Sequence, residues 1–177
     1  MPIWYPDRED VEIVARELAA IWFPRKKSEQ PALFGLVKGH EGRAALESAL
    51  GIVQQPYYRQ LHDKAGALLR SLIKNHAFVD GNKRIAVITT IDFLSMNGHI
   101  LYATDEELVD EALRIARSEP DTPWKDVARW IRERCYCARS KSPRVRARLL
   151  AHPKELQDRL LKMRKVLQEI MEDDTVK

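Results

Sequence analysis

One stretch near the middle of the chain restricts the fold more than any other. Residues 85–96 read Ile-Ala-Val-Ile-Thr-Thr-Ile-Asp-Phe-Leu-Ser-Met, and their apolar side chains cover almost the whole circumference of a helix. Asn97-Gly98 then supplies a helix stop. A helix that is apolar on nearly every side is normally buried at the centre of a domain. The sequence therefore predicts a central helix around which the other elements pack.

A second helix is predicted before this one, with a polar motif between the two. Apolar side chains recur at helical spacing at Ala65, Leu68, Leu69, Leu72 and Ile73. Residues 75–84 then read Asn-His-Ala-Phe-Val-Asp-Gly-Asn-Lys-Arg, which we call the motif. The motif leads into the N-terminus of the central helix, where N–H groups without helical partners and a partial positive charge attract anions.

The second half of the motif suits an anion at that helix end. Gly81 can adopt a positive φ and let a ligand approach the backbone closely, and Asn82 is a good N-cap residue. Lys83 and Arg84 would lie in the first turn, where cations are disfavoured by roughly 0.3–1 kcal/mol each. Two cations against the helix dipole make sense if a strongly negative group binds there, and a phosphate chain is such a group.

The first half of the motif supplies the groups that phosphate chemistry needs. Asp80 can hold Mg²⁺ through one carboxylate, with phosphates and water completing the coordination shell. His76 is the nearby side chain of the type suited to proton abstraction at neutral pH. The motif therefore predicts a site for a metal-bound polyphosphate beside a general base.

Residues 76–84 resemble the signature of the Fic/Doc (Fido) family in its death-on-curing form, H-x-F-x-D-(A/G)-N-K-R. Two flanking segments are also similar to that family. Residues 42–50 resemble its upstream G-x-L-E-S-A-L helix, and residues 93–98 resemble its downstream F-L-x-x-N-G ending. Roughly residues 3–135 fit the family.

The resemblance implies a fold and a role for each motif residue. The expected fold class is all-α, a Fido-fold helical bundle around a central buried helix. The residue pattern adds a short β-hairpin as a candidate flap and an extra C-terminal helix. His76 would be the general base that deprotonates a target hydroxyl, and Phe78 would anchor the loop. Asp80 would hold Mg²⁺. Four further motif residues would bind the phosphates of ATP, namely Gly81, Asn82, Lys83 and Arg84.

Two departures bear on which reaction is expected. Family members that transfer AMP carry H-x-F-x-(D/E)-G-N-G-R-x-x-R, whereas here Lys83 replaces their second glycine and Val87 stands in place of their last arginine. Both departures favour the death-on-curing branch, which transfers the terminal phosphate of ATP. An AMP transferase is the alternative, and a module that binds a nucleotide or partner without catalysis is the third hypothesis.

The resemblance also suggests partners. It implies a protein substrate, for which a threonine of translation elongation factor Tu is the suggested target, and a small antitoxin that folds on binding. The family's autoinhibitory pattern (S/T)-x-x-x-E-(G/N) finds no match, since the nearest segment has Val37 before Glu41-Gly42. Residues 31–42 are the expected target-positioning flap, which would pair with an extended substrate segment, and residues 32–37 are expected to form a short hairpin.

Composition narrows the class of protein. The 177 residues carry a net charge of +4, which does not indicate a dedicated nucleic-acid binder. No apolar run approaches the roughly 18–20 residues of a membrane span, and no signal-peptide pattern opens the chain. Cys135 and Cys137 are expected to be free thiols. We therefore expect a cytoplasmic protein without a membrane partner.

The remaining pattern is helical and divides the chain in three. Helices are predicted after Asp7, over residues 46–53 and 108–116, and after Thr122-Pro123, with Asp7 and Thr122 as N-caps. Residues 1–136 are predicted to form the Fido domain and 137–153 a basic linker. Residues 154–177 are predicted to form a C-terminal helix and tail that docks on the domain or on a partner, with dimerisation as the less favoured option.

Overall fold

The computed structural model describes residues 2–22, 35–37, 40–118 and 121–137. In these ranges the chain is mostly helical, as the sequence predicts. The helices are α1 (Arg8–Trp22), α2 (His40–Ile52), α3 (Leu61–Lys74), α4 (Asn82–Met96), α5 (Asp105–Arg117) and α6 (Trp124–Arg134). Two short strands accompany them, β1 (His99–Leu101) and β2 (Cys135–Cys137).

Helices α3 and α4 share the centre of the fold. Helix α4 packs against α1, α3, α5 and β1, while α3 packs against α2, α4, α5 and α6. Four apolar side chains of α4 are at most 1% exposed, namely Ile85, Ala86, Phe93 and Leu94. The predicted central helix is therefore confirmed. It shares that position with the helix before it because the motif places the two side by side.

The ends of α1 and α4 are fixed by side-chain hydrogen bonds. Asp7 Oδ1 accepts from Asp10 N at 3.0 Å, and Asp10 Oδ2 accepts from Asp7 N at 2.9 Å, so the predicted cap at Asp7 is confirmed. At the C-terminal end of α4, Asn97 Oδ1 accepts from Trp4 N and Asn97 Nδ2 donates to Trp4 O. Asn97 thus ends α4 and also ties the N-terminal segment to it.

The predicted N-caps of two helices are wrong by one residue. Helix α4 has Gly81 as its N-cap, and Asn82 is its first residue, because the Asn82 side chain is engaged with the loop before it. Helix α6 has Pro123 as its N-cap, without a side-chain cap. Thr122 does not cap α6, and its carbonyl accepts instead from Arg70 Nε of α3 at 2.7 Å.

A two-stranded sheet closes the domain, and the sequence did not predict it. Strands β1 and β2 pair antiparallel, with His99 opposite Cys137 and Leu101 opposite Cys135. Strands of three residues are too short to show an alternation of apolar and polar side chains, so no sequence pattern predicts them. Both cysteines are free thiols, as predicted. Burial raises the pKa of the Cys135 thiol to about 11.

Several predictions fall outside the described residues. Of the expected 32–37 hairpin, the structure describes residues 35–37. The C-terminal helix at 154–177 and all of the basic linker except Cys137 lie beyond the described ranges. Within those ranges, no helix combines the length and apolar character that crossing a membrane requires.

Two helical glycines predict opposite effects of the same substitution. A Cβ atom on Gly66 in α3 would lie 2.6 Å from Ala128 N and 2.7 Å from Ala128 Cα, because α3 and α6 pack there backbone to backbone. A Cβ atom on Gly51 in α2 would meet nothing within 4 Å. We expect Gly66→Ala to lower the free energy of unfolding by about 1–3 kcal/mol. Gly51→Ala should raise it by about 0.5–1 kcal/mol.

Urea denaturation of the two variants beside the wild type measures both changes. Equal midpoints for Gly66→Ala and the wild type would contradict the close approach of α3 and α6.

Candidate functional site

The loop between α3 and α4, residues 75–81, begins with a constrained histidine. Asn75 is the C-cap of α3, and its Nδ2 donates to Ala45 O of α2 at 2.9 Å. His76 follows with φ 47°, in the left-handed region, and it is exposed. Glycine usually occupies this position after a helix because a Cβ atom is disfavoured there. A strained, exposed histidine suggests a functional role.

Asn82 braces the middle of this loop. Its Oδ1 accepts from Phe78 N at 3.0 Å and its Nδ2 donates to Phe78 O at 2.7 Å. The Phe78 ring is buried in the core at 3% exposure. Both polar atoms of the Asn82 amide are therefore used to hold the loop, which gives this side chain a structural task. Its predicted contact with phosphate stays a prediction.

The end of the loop turns sharply into α4. Gly81 has φ 79°, a conformation that favours glycine, and its N–H donates to Asp80 Oδ1 at 2.6 Å. Lys83 and Arg84 lie in the first turn of α4, Lys83 half-buried and Arg84 only 2% exposed. The sequence predicts this placement of two cations, and the fold encloses one of them almost completely.

A cavity of about 180 Å³ brings the predicted site residues together. Its polar lining consists of His76, Asp80, Gly81, Asn82, Lys83 and Arg84, and its apolar lining consists of Ile73, Val79 and Ala116. The sequence did not predict these three apolar residues as part of the site. Ile73 and Val79 are adjacent to the motif or within it, but Ala116 comes from α5, and no local pattern signals it.

The lining fits a phosphate chain with a divalent cation. Two cations and a helix N-terminus give an anion-binding environment, and one carboxylate offers oxygen to a hard metal ion. Within the described ranges, no three His, Cys, Asp or Glu side chains come together as a metal site. Mg²⁺ at Asp80 would therefore take most of its ligands from phosphates and water, as Mg²⁺ commonly does.

The size of the cavity matches part of a nucleotide. Pockets that enclose a small-molecule ligand usually measure about 300–1,000 Å³, whereas this cavity measures about 180 Å³. The described lining therefore accommodates a phosphate chain, and the nucleoside would extend past the rim. Val79 is 57% exposed at that rim.

Lys74, at the end of α3, holds the α5 wall of the cavity in place. Lys74 Nζ donates to the carbonyl oxygens of Ala116 and Ser118, each at 3.2 Å, and pairs with Asp121 at 2.9 Å. Arg70 Nη2 also bonds Asp121, at 2.9 Å. The hydrogen bond from Lys74 holds the pKa of Asp121 below its ordinary value. The wall at Ala116 is thus tied to the helix that leads into His76.

The described part of the predicted flap, residues 35–37, pairs with the loop. Val37 N donates to Ala77 O and Val79 N donates to Gly35 O, each at 2.9 Å, with Leu36 opposite Phe78 in antiparallel register. We call residues 35–37 the flap segment. In this register the N–H and C=O of Leu36 point away from Phe78, toward the opposite edge of the flap segment.

Comparison with known proteins agrees with this geometry. Residues 29–94 match the model of the family described as Fic/DOC, a range that contains the flap segment and all six predicted site residues. Over 41 residues the chain is 58% identical to a Toxin Doc of Mycolicibacterium smegmatis, a match that covers 23% of this chain and 32% of that protein. The matched segment thus spans about a third of the length of that relative. The segment that carries α2, α3, the loop and nearly all of α4 is thus similar to the Fic/DOC family, and this similarity supports membership of that family.

Proposed function

We propose that the protein is a death-on-curing-type toxin that transfers the γ-phosphate of ATP to a hydroxyl of a target protein. The observation that carries the proposal is the cavity at the N-terminus of α4. A histidine, a carboxylate and two cations surround this one space, namely His76, Asp80, Lys83 and Arg84.

The cavity residues divide the binding of Mg²⁺–ATP among them. Lys83 and Arg84 neutralise the phosphate oxygens, and the backbone at Gly81 lets a phosphate approach the helix end closely. Asp80 is the residue that would hold Mg²⁺, which supplies further charge neutralisation when bound. Because Asp80 Oδ1 accepts from Gly81 N, the carboxylate is oriented before any ligand arrives.

His76 lies where a second substrate can reach it. It is exposed and borders the cavity, so an acceptor hydroxyl can approach from solvent. The hydroxyl oxygen attacks the γ-phosphorus, the bond from that phosphorus to the β–γ bridging oxygen breaks, and ADP leaves. The imidazole takes the hydroxyl proton. Acceleration comes mainly from positioning and charge neutralisation, as in phosphoryl transfer generally.

Lys83 favours phosphoryl transfer over adenylyl transfer. AMP-transferring family members have glycine where this chain has Lys83, and the small residue leaves room there. Here a half-buried lysine lines the cavity in the first turn of α4. Its side chain takes that space and would favour the reversed nucleotide orientation, with the γ-phosphate toward His76. AMP transfer to a protein hydroxyl is the alternative.

The flap segment supports a protein as the acceptor. The outward N–H and C=O of Leu36 would pair with an extended segment of the target by strand addition. The matched relative is named Toxin Doc, which supports a toxin. The family resemblance suggests in addition that it acts in the cytoplasm and is restrained by a small antitoxin. The target that the family resemblance suggests is a threonine of elongation factor Tu, whose modification would block translation.

Labelled ATP separates the proposed reaction from its alternatives. Incubated with purified elongation factor Tu and Mg²⁺, the protein should transfer label from γ-labelled ATP and none from α-labelled ATP. His76→Ala should slow transfer by about 10²–10⁴-fold because it removes the general base. His62→Ala, at the other end of α3, is the matched control and should transfer label like the wild type.

Each other result identifies an alternative. Transfer of the α-label would show an AMP transferase. Binding of ATP without transfer of either label would indicate a module that binds nucleotide without catalysis, and His76→Ala would then leave any cellular toxicity intact.

The strained backbone of His76 predicts a conflict between stability and activity. Because φ is 47° at this residue, glycine should fit better than any residue that carries a Cβ atom. We expect the free energy of unfolding of His76→Gly to be about 1 kcal/mol higher than that of His76→Ala. Both variants should lose transfer activity to the same extent, because neither keeps the imidazole. Urea denaturation compares their stability, and equal midpoints would contradict strain at this position.

A further inference from the structure

A buried glycine of α2 lies directly against the junction between the flap segment and the loop. Gly42 is the third residue of α2 and is buried. A Cβ atom built on it would lie 2.7 Å from both N and O of Val37 and 2.8 Å from Ala77 O. Real Cβ atoms essentially never lie this close to other heavy atoms. Only a residue without a side chain fits.

The three crowded atoms belong to the contact that docks the flap segment. Val37 N and Ala77 O are the donor and acceptor of one of the two backbone hydrogen bonds that join the flap segment to the loop. All three are backbone atoms, so none can rotate away as the end of a long side chain would. A side chain on Gly42 must therefore displace one of the two backbones.

The loop is the more firmly held of the two. Its Phe78 is bonded on both backbone groups by Asn82, and Asn75 is bonded to Ala45 of α2. Ala77 itself is 1% exposed in the core. The flap segment is joined to the loop by its two backbone hydrogen bonds and by the partly buried Leu36 side chain. We therefore expect the flap segment to be the part that moves.

We infer that Gly42 is a positioning residue for the acceptor protein: its bare Cα lets the flap segment dock beside His76. The inference rests on the proposed function, since it assigns the flap segment to acceptor binding. The polar lining of the cavity comes from residues 76–84, and Gly42 does not line the cavity. A substitution at Gly42 should therefore weaken docking of the acceptor and leave binding of the nucleotide unchanged.

Gly42→Ala tests this inference, with Gly51→Ala as its control on the same helix, where an added Cβ atom meets nothing within 4 Å. Gly42→Ala should speed amide hydrogen exchange of Val37 and Val79 by about tenfold or more, because their hydrogen bonds to the loop break. Exchange at Leu68 in the core of α3 should stay at the wild-type rate. Gly51→Ala should leave the exchange rates of the Val37 and Val79 amides unchanged.

The same variants are then assayed for transfer from γ-labelled ATP to elongation factor Tu. For Gly42→Ala the KM for the acceptor should rise by about tenfold, whereas kcat and the KM for ATP stay within about twofold of the wild type. Gly51→Ala should match the wild type in all three constants.

Three results would overturn the inference. The first is wild-type exchange at Val37 and Val79 in Gly42→Ala, and the second is faster exchange there with an unchanged acceptor KM. The third is equally faster exchange at Leu68, which would show that Gly42 supports the whole fold and has no particular role at the flap segment. If the wild type transfers no label at all, the proposed function fails, while the exchange rates still decide whether Gly42 docks the flap segment.

Discussion

The site depends on one pair of hydrogen bonds, between the amide of Asn82 and the two backbone groups of Phe78. They act as a neighbouring strand would on one edge of the loop. The flap segment pairs on the other edge, through the residues on either side of Phe78. With the Phe78 ring buried beneath, the loop is held from three directions. That rigidity is what allows His76 to keep a backbone conformation that favours glycine.

The two cations of the site are placed against the helix dipole. Lys83 and Arg84 stand in the first turn of α4, where the helix dipole opposes them, and Arg84 is nearly buried. A bound phosphate chain reverses this balance because it is attracted both by the cations and by the helix N-terminus. The proposed phosphate ligand would thus compensate for an unfavourable placement of charge.

Several features could be predicted from residues near one another in the chain. The all-round apolar pattern of 85–96 predicts a central helix, since such a pattern leaves no face for water. The order of residue types in the motif predicts that His76, Asp80, Lys83 and Arg84 surround one space, because a short loop leaves them no room to separate. The predicted N-cap at Asn82 is wrong, since a side chain that bonds the loop is not available to cap its helix.

What the sequence alone determined is local: which segments are helical, where the chain turns, and which polar groups share the loop. The tertiary structure decided the rest. It brought Ala116 of α5 to the cavity wall and clamped it through Lys74. It also paired β1 with β2 and set Gly42 against the flap segment. Those contacts join residues far apart in the chain, and they depend on how helices pack, which no short-range spacing of residues encodes.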